Sequence, residues 1–281
     1  SVPAGDAMTL TIATWNINSV RLRIGLVEKL LREHRPDILC LQETKTPDEF
    51  FPHEAFERLG YAHRHISGMK GYNGVAIVSR IPFAAQLTHN RCGKEDCRHV
   101  VASIDRGDGD PIELHNLYVP AGGDIPDPVA NVKFAHKLDF MKEIGDWFEA
   151  CKPTRGQRKG RKRIIVGDLN IAPLEHDVWS HKQLLDVVSH TPVEVDLFQR
   201  LMASQDWIDV PRVFVPSDRK LYSWWSYRNR DWRLSDRGRR LDHVLVSPAL
   251  RETIRSHAIL KDARDWEKGS DHVPVFASFD A

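Results

Sequence analysis

Eight short apolar, β-branched runs are spread along this 281-residue chain: Leu10–Trp15, Ile38–Leu41, Val75–Val78, His99–Ile104, Ile112–Leu117, Ile164–Val166, Leu241–Val246 and Val273–Phe279. Short runs of this kind read as buried strands. Between some of them apolar residues return at spacings of three and four, as helices require. Val20, Ile24, Val27 and Leu31 form one such pattern, stopped by Pro36. A second runs over 131–150 through Val132, Leu138, Met141, Ile144 and Trp147–Phe148, and a third over 193–205. Many strands with fewer helices predict an α/β (α+β) sandwich. No fixed-period repeat and no long linker divides the chain, so residues 9–281 read as one domain. Residues 1–8 read as an expression remnant or tail, with Met8 as a natural start.

Composition narrows the class. Forty Lys+Arg stand against 39 Asp+Glu, a formal net charge of +1. That excludes a uniformly basic, histone-like binder and an acidic disordered chain. It does not exclude nucleic acid, because a balanced total can hide one basic face and one acidic site. No apolar run approaches the roughly 18–20 residues that span a bilayer. The first seven residues lack the basic and apolar parts of a signal peptide. Cys92 and Cys97 are spaced C-x4-C with no second ligand pair at zinc spacing, so all four cysteines read as free thiols and the cytoplasm is the default compartment.

The informative positions are the polar residues that end or begin the apolar runs. Asn16 follows Leu10–Trp15, Glu43 follows Ile38–Leu41 and Gln42, and Tyr118 follows Ile112–Leu117. Asp168 and Asn170 follow Ile164–Val166, Asp242 stands before Val244–Val246, and Asp271-His272 stands before Val273–Phe279. If the runs are strands of packed sheets, these side chains all lie on sheet rims, where scaffolds build catalytic sites. Singly each has an ordinary explanation. Asp and Asn form turns at strand ends, Asp242 has arginine neighbours to pair with, and Glu43 stands close to Lys45. The joint pattern is what points to chemistry. Carboxylate oxygens with amides suit a hard cation such as Mg2+. An Asp near a His and an Asn suits the activation of water, and a cation with a charged His offsets charge on a pentacovalent phosphate. The combination reads as metal-assisted phosphodiester hydrolysis.

The motifs Trp15-Asn16-Ile17-Asn18-Ser19, Leu41-Gln42-Glu43-Thr44-Lys45, Tyr118-Val119-Pro120, Gly167-Asp168-Leu169-Asn170, Leu241-Asp242-His243 and Ser270-Asp271-His272-Val273-Pro274 occur in one order along residues 9–279. In this the chain resembles the exonuclease III family of abasic-site endonucleases and 3′ repair nucleases, within the endonuclease/exonuclease/phosphatase superfamily. The segment Tyr222–Arg228 points to the DNA-repair branch. The resemblance implies a four-layer αββα sandwich of two mixed sheets flanked by helices. It implies Glu43 as the main Mg2+ ligand, aided by Asn16, Asn18 and Asp271, with Mn2+ as a substitute. Asp168 would activate the attacking water with Asn170 beside it. His272 would contact the scissile phosphate, Asp242 would orient its ring, and Tyr118 would donate to the phosphate or assist the leaving oxygen. Trp224 and Leu241 would wall a pocket for the baseless sugar, and one of Trp224 and Trp225 is expected to pack in the core. An abasic nucleotide has no stacking to lose, so it is the easiest one to extrude.

Two departures from the family pattern stand out. Ala121 follows Tyr118-Val119-Pro120 where many relatives carry Asn or Gln, and Asn18 stands where some carry Asp. Both bear on the balance between endonuclease and exonuclease activity. Two segments concentrate positive charge. Arg228–Arg240 has six arginines against Asp231 and Asp236, and Lys152–Arg163 has seven cations and no acid. Arginines with Tyr227 and Trp232 suit contact with a DNA backbone, and Arg98 resembles a phosphate-contacting arginine of the family. The expected substrate is double-stranded DNA with abasic sites or damaged 3′ ends, acted on by a monomer. The competing readings are a phosphoesterase on a non-DNA substrate and a non-catalytic DNA-binding module.

Overall fold

A computed structural model of the chain describes residues 9–154 and 160–281. The 1–8 tail and the middle of the Lys152–Arg163 segment therefore lie outside the described residues. Twelve strands form two six-stranded sheets. In chain order they are β1 (Thr9–Asn16), β2 (Ile38–Gln42), β3 (His63–Ser67), β4 (Val75–Ser79), β5 (Ala85–His89), β6 (His99–Ile104), β7 (Ile112–Tyr118), β8 (Arg163–Asp168), β9 (Ile208–Asp209), β10 (Asp242–Val246), β11 (Ile254–Ile259) and β12 (Val275–Asp280). The first sheet has the order β11-β12-β1-β2-β4-β3 and the second β5-β6-β7-β8-β10-β9. Both are mixed. The pairs β1–β2 and β7–β8 are parallel and all other neighbours run antiparallel.

The sheets pack face to face. Leu10, Ile12, Ile38, Cys40 and Ile77 of the first meet Val100, Leu114, Ile164, Val166 and Val244 of the second. The other face of each sheet is covered by helices. Helix α1 (Ile24–His34) and α2 (His53–Arg58) cover the first sheet through Val27, Leu30, Leu31 and Phe56. Helices α3 (Val132–Ala150), α4 (His181–Leu184) and α5 (Pro192–Ser204) follow in the chain, and α3 and α5 cover the second sheet through Phe140, Met141, Ile144, Phe148, Phe198 and Leu201. The result is the expected four-layer sandwich. Strands covered on both sides become continuous apolar runs, which is why β2, β4, β8 and β10 were readable, and all four are buried throughout. One amide link crosses the core: Gln42 donates to Asn116 at 2.8 Å, and Asn116 donates to the carbonyls of Leu41 and Ala76.

Some expectations are corrected. The first helix begins at Ile24, with Val20 in the preceding turn. On α3 the buried stripe is Phe134, Lys137, Phe140, Met141, Ile144 and Phe148, while Val132 is 75% exposed. All four cysteines are free. Among the described residues no helix is long and apolar enough to cross a membrane.

Candidate active site

The parallel pairs β1–β2 and β7–β8 end at the same rim, and the antiparallel strands β10 and β12 begin there. Carboxyl ends of parallel strands are where α/β sheets place ligands. The register sets Tyr118 and Asp242 on either side of Asp168. Gly167 makes that possible. It has φ +140°, and a Cβ there would lie 2.0 Å from the Leu117 carbonyl oxygen, so only glycine lets β8 run this close to β7.

Three hydrogen-bonded pairs join the two sheets at this rim. The Asn16 amide donates to Asp168 Oδ2 at 2.9 Å and also to Glu43 Oε1 at 2.8 Å. The Tyr118 hydroxyl donates to Glu43 Oε1 at 2.8 Å. His272 Nδ1 donates to Asp242 Oδ2 at 2.8 Å, which leaves Nε2 facing Asp168 Oδ2 at 3.5 Å. Asn170 supports the acid from below: its backbone N–H donates to Asp168 Oδ1 at 3.0 Å and its side chain to the Val119 carbonyl at 2.7 Å. Glu43, Lys45, Asn18, Ser19 and Asn170 all carry positive φ without being glycine. Such residues often stand at functional sites, and here others, such as Arg35 and Cys92, lie away from the rim.

Electrostatics divide the acids. Burial, with Asp242 and Glu43 adding repulsion, pushes the Asp168 carboxyl up to about 7 against the pull of His272 and Asn16. Burial opposes charge on His272, but Asp242 and Asp168 outweigh it and hold the imidazolium well above the usual histidine range. Burial and the Glu43 charge raise the Tyr118 phenol, so it stays a neutral donor. Glu43 keeps more solvent access, its side chain 21% exposed against 1% for Asp168.

Glu43, Asp168 and His272 place one ligand atom each within 4.8 Å of one another, the one such group among the described residues. With His272 held protonated, the donors left are hard carboxylate oxygens, and they fit a divalent cation of the Mg2+ type. The other expected ligands each accept a hydrogen bond as well. Asn18 Oδ1 accepts from Lys45 Nζ at 2.7 Å, and Asp271 Oδ2 accepts from the Trp224 indole at 3.0 Å. Asn16 Oδ1 accepts from the Asn18 N–H.

Trp224 is half-buried and shares an apolar cluster with Leu241, Val178 and Trp179, while Trp225 is buried in a separate one with Tyr222 and Trp232. Trp224 and His272 rings lie 6.5 Å apart, so this wall adjoins the acids. Arg98 stacks over Tyr118 at 5.0 Å and pairs with Asp96 at 2.7 Å. Arg228 is exposed. The arginine segment splits by role. Arg240 is fully buried between Asp177 and Asp209, and Arg233 pairs with Asp262 and Asp265. Arg239 lies over Trp224 and Arg237 over Trp179. The described part of Lys152–Arg163 sits at the far end of β8, with Lys162 on Asp108 and Arg163 on Glu113, so it does not adjoin the rim. His243, beside Asp242, donates its Nε2–H to the buried Ile171 carbonyl at 2.7 Å and takes no part in the site.

Several contributors stand inside the quoted motifs but were assigned no role from the sequence. Ser223 Oγ donates to Asp242 Oδ2 at 2.7 Å and receives the Leu241 and Asp242 N–H groups. Ser270 Oγ donates to the Asn16 carbonyl at 2.6 Å, and Lys45 Nζ stands 3.4 Å from Glu43 Oε2.

Residues 13–272 match the model of the endonuclease/exonuclease/phosphatase family. The chain belongs to this family, in its exonuclease III branch. It is 31% identical to exodeoxyribonuclease III of Haemophilus influenzae, across 95% of this chain and 98% of that protein. An AP endonuclease from Archaeoglobus fulgidus superposes with TM-score 0.85 at 32% identity, covering 97% of this chain and all of that one. A 3′ phosphatase from Neisseria, solved with a product DNA hairpin, gives TM-score 0.85 at 30% identity with coverage of 97% and 100%. As a member of the exonuclease III branch, the chain is a hydrolytic nuclease acting on phosphodiesters.

Proposed function

We propose that this nuclease is a Mg2+-dependent repair enzyme, with Mn2+ as a substitute, that hydrolyses the phosphodiester 5′ to abasic sites in duplex DNA and trims 3′ ends. The observation that carries this is the rim itself: three donor–acceptor pairs from two sheets meet beside the Trp224–Leu241 wall. Asp168, desolvated and short of its proton only near neutral pH, takes the proton from the attacking water. Asn170 fixes the carboxylate that receives it. His272, kept as imidazolium by Asp242, holds a non-bridging phosphate oxygen, and Tyr118 donates to the same phosphate or to the leaving oxygen. Glu43, with Asn16, Asn18 and Asp271 in support, would hold the cation, which supplies Lewis-acid stabilisation of the phosphate charge when bound. Trp224 and Leu241 take the extruded sugar, and Arg98 and Arg228 meet the flanking backbone. No residue at the rim is placed for a covalent intermediate.

The relatives named for AP endonuclease and 3′ phosphatase activity support this reading. The test is a nicking assay on an abasic-analogue duplex, a 3′-phosphate nick and a 3′ mismatch, with EDTA and Asp168→Asn as controls. Mg2+-dependent incision of the abasic strand is expected. Incision no faster than in the controls would leave a DNA-binding module, and cleavage of a phospholipid headgroup in preference to DNA would leave a different phosphoesterase.

A further inference from the structure

The inward stripe of α3 is apolar except for one residue, Lys137. Its ammonium and the Glu194 carboxylate of α5 form an ion pair in which both side chains are fully buried. Apolar residues of similar volume usually serve stability at least as well as a buried pair, so the pair calls for another reason. The ammonium has three donors, and three acceptors meet it: Glu194, the Asn170 carbonyl at 2.6 Å and the Ala121 carbonyl at 3.2 Å. Those carbonyls sit on the two loops that leave β8 and β7 at the catalytic rim. The β7 loop is moulded to the lysine, since a Cβ on Gly122 would lie 2.9 Å from Lys137 Cδ. Glu194 is itself fixed by the Ser189 N–H at 2.9 Å and the Thr191 hydroxyl at 2.7 Å. Ser189 Oγ accepts from Arg239, which lies over Trp224. A continuous chain of polar contacts therefore runs from Asp168 through Asn170, Lys137, Glu194, Ser189 and Arg239 to the pocket wall.

We propose that Lys137 is a positioning residue for the reaction, its ammonium fixing the Asn170 and Ala121 carbonyls so that Asp168 keeps its place relative to the Trp224 wall. This rests on the nuclease reading above. Lys137 touches no substrate, so its loss lowers kcat and leaves KM in place.

Lys137→Met alone strands the Glu194 charge and is expected to melt. The deciding variant is the full chain with Lys137→Met and Glu194→Gln, which removes both charges and leaves the glutamine to accept from Ser189. Folded by circular dichroism, it is expected to lose about 10-fold to 100-fold in kcat on abasic duplex, with KM within about 2-fold. Glu194→Gln by itself keeps both ammonium–carbonyl bonds but leaves the Lys137 ammonium buried against a neutral amide, so it is expected to lower Tm, while the protein that stays folded holds kcat within about 3-fold. Lys137→Gln with Glu194→Gln, which restores one donor, is expected to recover part of the loss. A double variant with wild-type kcat overturns the proposal, and so does Glu194→Gln losing as much as the double variant. A wild type that nicks no abasic duplex sinks the functional reading and this one together. A wild type that nicks, beside a folded double variant that nicks equally well, sinks this one alone.

Discussion

The two sheets repeat one succession of pairings. Read from β11 in the first and from β9 in the second, neighbours are antiparallel, antiparallel, parallel, antiparallel and antiparallel. Matched in that order, β1 corresponds to β8, β2 to β7 and β12 to β10. The site residues then fall at corresponding strand ends: Asn16 and Asp168 close β1 and β8, Glu43 follows the last residue of β2 where Tyr118 is the last of β7, and His272 precedes β12 where Asp242 opens β10. These same three couples are hydrogen-bonded to each other across the sandwich. In each couple one member donates and the other accepts. The topology was used twice, and the chemistry was divided between the copies. The first sheet supplies the more solvated acid, Glu43, and the imidazolium. The second supplies the two buried acids, Asp168 and Asp242.

Breaking the second sheet's acid at the end of β8 is the change expected to damage this division most. Asp168→Asn keeps the shape and is expected to lower single-turnover DNA cleavage by about 10³-fold. It also has a stability signature. The folded Asp168 pKa, about 7, lies above the unfolded value near 3.9, so the native state binds the extra proton between those values. Native stability therefore falls as pH rises from about 4 to 7, because the buried carboxyl must ionise. In EDTA, Asp168→Asn is expected to flatten that fall and to raise Tm at pH 8. A melting curve unchanged by the substitution would contradict the burial argument.

The His272–Asp242 couple is the next test. Asp242→Asn removes the charge that keeps His272 protonated, so the imidazolium is lost at lower pH. The expected result is a drop of about 10²-fold at pH 7.5 and an alkaline limb of the pH–rate profile displaced toward acid. A uniform drop with an unmoved limb would mean that Asp242 only orients the ring. Tyr118→Phe tests the third couple. It removes one neutral donor from Glu43, and about 10-fold is expected from kcat, with the cation requirement intact. A larger loss accompanied by weaker Mn2+ binding would move Tyr118 from the phosphate to the support of Glu43.

The legible part of this molecule follows from burial. Strands covered on both sides are continuous apolar runs, and a polar residue ending such a run stands out, as Asn16, Glu43, Asp168 and His272 did. The edge strands β3, β5 and β11 carry no such run. The most exposed of the three, β5, is open to solvent over Ala85–Thr88, so no buried face imposes an apolar alternation on it. Tertiary pairing hid other roles. Arg240 sits in a run of cations that reads as a DNA-facing segment, yet Asp177 and Asp209, distant in sequence, enclose it. Lys137 resembles any surface lysine on a helix until Glu194 and two loop carbonyls are folded around it. The tie between the Asp271 carboxylate and the Trp224 indole, 47 residues apart, likewise forms only in the fold.

The smallest expected effect lies outside both sheets and sharpens the boundary between the rim and its surroundings. Arg228 is exposed, and Arg240, twelve residues on, is fully buried with its aspartates. A phosphate-contacting arginine acts through counterion release. Arg228→Ala is therefore expected to reduce the slope of log K against log salt by about 1, leaving kcat at low salt unchanged. Arg240→Ala strands the Asp177 charge in the interior, so it should lower Tm, with any loss of DNA affinity tracking the loss of folded protein. Fluorescence anisotropy on an abasic duplex across a salt series separates the two. An Arg228→Ala slope equal to wild type would take this arginine off the DNA and leave backbone contact to Arg98 and the remaining exposed arginines. The three couples at the rim would be untouched by that outcome, because none of them takes a partner from Arg228–Arg240.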